Sequence, residues 1–130
     1  MTILHITLIT RERCLCIMEV TFKNKKLQQM CNAESDKKLV QEFGPKRAKK
    51  LRNRLDDLKA APNLETMRHL PGRLHELTGT KKGQLSLDLE HPLRLLFQPS
   101  NDGVIINEAG SLIWGSVNAV QVLNVEDTHG

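Results

Sequence analysis

Between Arg73 and His129 the chain gathers imidazole, guanidinium, ammonium and carboxylate groups more closely than anywhere else. His75 sits in a short apolar-flanked run, Lys81 and Lys82 in a turn bounded by Gly79 and Gly83, and Arg94 in a second alternating run. Asp127 and His129 lie within Glu126-Asp127-Thr128-His129. These are the groups needed to hold and cleave a phosphodiester. His75 and His129 are candidates for proton transfer, because imidazole titrates near neutrality. Arg94 has the planar fork that binds two phosphate oxygens. Lys81 and Lys82 could stabilise added negative charge, and Asp127 could orient an imidazole or a cation. Each residue also has a plainer reading. His75 could be an ordinary hydrogen-bonded sheet residue, Arg94 could pair with Asp88 or Glu90, and the two lysines could merely solvate a turn.

Such groups need a scaffold. The 130 residues suffice for one domain with a real core. With one Trp, three Phe and no Tyr, that core must be built from Leu, Val and Ile, and a broad aromatic surface for stacking single-stranded bases is excluded. Nothing approaches the roughly 20 continuous apolar residues of a membrane span. Cys14, Cys16 and Cys31 form no disulfide framework, and no Cys-x-x-Cys or His-Glu-x-x-His motif announces a metal. No cofactor is expected, and a reducing, cytoplasmic compartment fits best.

Residues 1–17 read as an extension of uncertain role. Arg11-Glu12-Arg13 interrupts their apolar run, which is not the pattern of a signal peptide. The working domain is expected over 18–130. Met18 to Phe22 alternates as a strand. Asn24 to Phe43 follows with helical spacing, weakest over Asn32 to Asp36, and Gly44-Pro45 breaks it. Ala48, Leu51, Leu55 and Leu58 then form the apolar stripe of a second helix, so a helical hairpin is expected. Between Lys23 and Lys59 twelve Lys or Arg outnumber five Asp or Glu, and Lys46, Lys49 and Lys50 fall in an acid-free tract suited to a polyanion. A solvated helix face would look the same.

After Pro71-Gly72 the period changes to two. Leu74 to Leu77 is a plausible strand, and Leu85 to Leu89 with Leu93 to Phe97 reads as a hairpin. Val104 to Ile106 could extend the sheet, and Val117 to Val125 should close it. The expectation is an α+β domain, helices on one side of an antiparallel sheet.

The stretch Arg73-Leu74-His75-Glu76-Leu77-Thr78-Gly79-Thr80-Lys81-Lys82-Gly83-Gln84 resembles the central motif of the RelE/ParE superfamily of bacterial toxins, in its HigB-like branch. Arg94 after the next turn and the closing Val125-Glu126-Asp127-Thr128-His129 follow the same family order, with Thr128 where the family has tyrosine. The resemblance covers Met18 onward. It implies the RelE-like microbial RNase fold, a helical hairpin packed on a curved antiparallel sheet. It also implies a type II toxin that cuts mRNA on the ribosome without metal. RNA brings its own nucleophile, the 2′-hydroxyl beside the scissile phosphate, so the protein need only align the chain, move protons and stabilise charge. The implied partners are a cognate antitoxin and ribosome-bound mRNA, with operator DNA reached only through the antitoxin and no membrane involved. Two alternatives share the fold: a ParE-like gyrase poison that cuts no RNA, and a weakened antitoxin-binding module, which Thr128 would favour.

Overall fold

A computed structural model describes residues 17–127. Strand β1 (Glu19–Phe22) alternates exposed and half-buried residues, as its sequence requires. The Asn24 side chain then accepts a hydrogen bond from the Leu27 backbone N–H at 3.0 Å and starts α1 (Lys25–Asn32). Helix α2 (Lys37–Phe43) ends at Gly44, whose φ of 87° turns the chain, and Pro45 opens α3 (Pro45–Ala60).

The first arm of the expected hairpin is therefore two helices. The break falls where Asn32, Ser35 and Asp36 offer side chains that compete with helical backbone bonding. Arg52 of α3 splints it, donating to the Asp36 carboxylate at 2.9 Å and to the Cys31 carbonyl at 2.7 Å. Asp36 and Arg52 stand equally far on either side of Gly44, so α2 and the start of α3 run back past one another.

The remaining strands are β2 (His75–Glu76), β3 (Leu85–Asp88), β4 (Leu93–Pro99) and β5 (Ala119–Asp127). The sheet order is β1-β5-β4-β3-β2. Strands β2 to β5 pair antiparallel, but β1 lies parallel to β5, so the sheet is mixed and the all-antiparallel expectation is corrected. A parallel neighbour needs a crossover, and the three helices between β1 and the later strands supply it. Val104 to Ile106 does not join the sheet. Both flanks of β4 are already occupied, and Ile106 makes only an isolated bridge to Leu112.

One face of the sheet meets the helices. Leu85, Leu87, Leu95, Phe97 and Val122 pack with Leu39, Leu51, Leu55 and Leu58, all fully buried. A 3-10 turn over Leu64–His69 and the loop carrying Trp114 close the end near β2. Trp114 is buried as packing: Arg68 lies over its ring at 4.1 Å, and its indole N–H donates to Glu76 at 3.1 Å.

Cys31 shares this interior, and burial pushes its thiol from 9.0 up to about 11. A raised thiol value means the folded state holds its proton longer. Its contribution to stability is intact below pH 9 and is lost as pH rises towards 11, with a limiting slope of roughly 1.4 kcal/mol per pH step of one. Iodoacetamide at pH 8 should therefore leave Cys31 unmodified in the native protein and label it after unfolding, as peptide mapping would show. Rapid native labelling would contradict the burial.

Candidate active site

Residues directly opposed in a β-ladder point to the same side of the sheet. The pairs His75 with Ser86, Ser86 with Leu96, Asp88 with Arg94 and Arg94 with Glu126 therefore define the face away from the helices. Ser86 and Leu96 are buried and make its floor. The Ser86 hydroxyl has no hydrogen-bond partner among the described residues. His75, Asp88, Arg94 and Glu126 stand around them, half-buried. The turn after β2 leans over this face. Lys81 reaches past β3 and β4 to place its ammonium 3.5 Å from the Glu126 carboxylate on β5.

The approach to β2 is shaped by Gly72 and Arg73. Gly72 has φ 115°, and a Cβ there would stand 3.0 Å from Arg54 Cδ and from Leu87 Cδ2, so only glycine fits. Arg73 follows at φ 47°, the one non-glycine residue with positive φ among those described. That conformation turns the Arg73 carbonyl onto His75 Nδ1 at 3.0 Å. A carbonyl can only accept, so Nδ1 carries the proton and a neutral His75 presents the lone pair of Nε2. The Asp88 backbone N–H donates to the Gly72 carbonyl at 2.6 Å, tying the turn to β3. Arg73 Nε donates to Asp88 Oδ2 at 2.9 Å, and Arg94 Nε stands 3.5 Å from Asp88 Oδ1. This second contact is an attraction between charges without hydrogen-bond geometry, since Asp88 Oδ1 accepts no hydrogen bond. On the far side of β2, Glu76 accepts from Leu112 N and Trp114 Nε1, both at 3.1 Å, which fixes the short strand that carries His75.

A family model for the RelE-like toxin of the type II toxin–antitoxin system HigB matches residues 20–109. The chain belongs to the HigB-like toxins. No curated protein matches it. The matched span of this HigB-like toxin contains β1 to β4 from Val20 onward and the cluster of Arg73, His75, Lys81, Asp88 and Arg94. Its α+β build, with helices on one face of a five-stranded sheet, is RelE-like.

Of the residues singled out from sequence, His75, Arg94 and Lys81 come together in this toxin. Asp127 does not join them. It pairs with Leu93 and shares the side of Val125 and Leu95, towards the helices, whereas Glu126 faces Arg94. Strand alternation beside the apolar Val125 is the signal that separates the two carboxylates. Lys82 diverges from Lys81 and lies against Gly110 in the loop after β4. Lys46, Lys49 and Lys50 ride on α3, across the sheet from His75. Lys46 and Lys49 are exposed and Lys50 is half-buried, with Lys46 stretching to Glu90 at 3.8 Å by the β3–β4 turn. Two further members of the basic tract are structural: Arg52 splints the helices, and Arg54 is buried 3.3 Å from Asp57. His129 and Thr128 lie outside the described residues. Among the described residues no three His, Cys, Asp or Glu side chains converge as metal ligands, and no helix is long and apolar enough to cross a membrane.

Two participants escape a reading of the sequence. Arg73 stands in the family-like stretch, but its role depends on a backbone conformation that no residue type announces. Asp88 is legible only as a hairpin partner for Arg94.

Proposed function

We propose that this HigB-like toxin is a ribosome-dependent endoribonuclease that arrests translation by cutting mRNA, through attack of a 2′-hydroxyl on the adjacent phosphate. The observation that carries this reading is the joint placement of His75 and Arg94 on one sheet face, with the imidazole lone pair at Nε2 available. His75 takes the 2′-hydroxyl proton. Arg94 binds the phosphate oxygens as their charge grows, and Lys81 adds positive potential from the overhanging turn. His129 supplies the proton for the leaving 5′-oxygen. No metal or other cofactor takes part. The exposed lysines Lys46 and Lys49, with Lys50, hold polyanion on the helical side rather than at the scissile bond. Family membership implies a cognate antitoxin. That protein covers one of these surfaces and recruits operator DNA in the cytoplasm.

Inducing the chain in cells without antitoxin, while mapping mRNA 5′ ends, tests the reading. Growth arrest should come with new ends inside translated frames. Arg94→Ala should lower cleavage by about a hundredfold, as loss of a transition-state charge partner does. Arrest with intact messages and induced DNA damage would instead identify a gyrase poison.

A further inference from the structure

Asp88 poses a puzzle on a face meant for phosphate. It is a carboxylate placed between two guanidiniums, and by charge alone it should repel the substrate. The way it is engaged resolves this. Both arginines meet Asp88 through Nε, the nitrogen nearest the stem. Neither contact uses the outer Nη nitrogens. An arginine held by Nε still presents the Nη edge that forks two oxygens. Arg73 is 67% exposed and Arg94 30% exposed, so the pair spans the rim and the floor of the face. The contacts also differ in kind. Arg73 is fixed by a good hydrogen bond and a left-handed backbone, whereas Arg94 is only tethered and free to settle onto an oxygen.

We propose that Arg73 is a second phosphodiester-binding residue and that Asp88 is the positioning residue for both arginines, holding them as a two-guanidinium clamp beside His75. The inference rests on the ribonuclease reading for the identity of the phosphodiester, an RNA backbone. The Gly72–Arg73 turn then has three outputs at one place. It sets the His75 tautomer through the Arg73 carbonyl, aims the Arg73 side chain, and anchors β3 at Asp88 through the Gly72 carbonyl.

The test compares the wild-type full chain with Arg73→Ala, Asp88→Ala and Asp88→Asn. Affinity is measured for a 2′-O-methylated RNA oligonucleotide that cannot be cut, and kcat and KM are measured on mRNA-programmed ribosomes. Exchange protection of the Arg73 Nε–H proton is followed by NMR. Arg73→Ala should weaken oligonucleotide binding and lower cleavage by on the order of tenfold, a modest loss for a rim contact. Its exposure keeps the fold out of question. Asp88→Ala should also weaken binding, although it removes a negative charge, and should expose the Arg73 Nε–H proton to exchange. Asp88→Asn, which keeps an acceptor oxygen, should recover part of the loss. Equal or tighter RNA binding by Asp88→Ala overturns the proposal, because the carboxylate would then be only a competitor. Unchanged binding by Arg73→Ala, or no oligonucleotide binding by the wild type, overturns it as well. Should the wild type fail to cut programmed mRNA while Asp88→Ala still loses oligonucleotide affinity, the clamp stands and the ribonuclease reading falls.

Discussion

His75→Ala should lower cleavage of ribosome-bound mRNA by at least about a hundredfold while the melting temperature stays within a few degrees of wild type. The imidazole is half-buried and outside the main core, so its removal leaves no large cavity. On the proposed mechanism, what disappears is the proton acceptor. Its Nδ1–H is spent on the Arg73 carbonyl, leaving Nε2 as the ring's basic position. A glutamine at the same place would keep some bulk and a hydrogen bond but offers no base of suitable strength, so His75→Gln should fail almost as fully. Cleavage fragments resolved on programmed ribosomes, beside thermal melts of the same preparations, give both halves of the result. Activity within a few-fold of wild type would make His75 a sheet residue and move the base elsewhere.

The largest stability effect should come from Phe97→Ala, a loss of about 3–5 kcal/mol. Phe97 is fully buried on β4, opposite Leu85 on one side and Val122 on the other. It also stands where the β4–β5 register shifts between Leu96 and Phe97, so the ring fills space beside an irregular ladder. Its ladder partners Leu85 and Val122 are strand residues with fixed backbones, so the gap closes only in part. Small domains have only about 5–15 kcal/mol of net stability, so the variant should populate unfolded chain at 37 °C. Urea titration measures the shift. A change below about 1 kcal/mol would mean that the core face has been assigned to the wrong side of the sheet.

Much of this architecture is readable from periodicity. Leu85, Leu87, Leu95 and Phe97 alternate with Ser86, Asp88, Arg94 and Leu96, which fixes both faces of the hairpin once the apolar side is known. Helix α3 follows from Ala48, Leu51, Leu55 and Leu58, and Pro45 marks its start. Other features lie beyond local pattern. Nothing in Val20 or Phe22 says whether the neighbouring strand runs with it or against it, because both pairings ask for the same alternation. Val104 to Ile106 likewise shows that β-branched residues alone do not place a segment in a sheet: Ile106 pairs only with Leu112, in the same loop between β4 and β5. At the site, residue type points to His75, Lys81 and Arg94. The left-handed Arg73 and the inward Arg54 depend on Gly72 and on tertiary contacts. The choice of Asp127 over Glu126 shows the cost of counting from a motif, since one step along a strand exchanges its faces.

The position of β5 bears on when the protein becomes able to act. It is the last of the five strands in chain order, yet it lies inside the sheet, with β1 on one side and β4 on the other. A nascent chain that has emerged only as far as Ser116 can build its helices and the β3–β4 hairpin, but β1 then has no strand to pair with. The seam between β1 and β4 closes only once β5 has been synthesised and can insert between them. Until β5 has docked between β1 and β4, the face that carries His75 and Arg94 lacks its Glu126 edge.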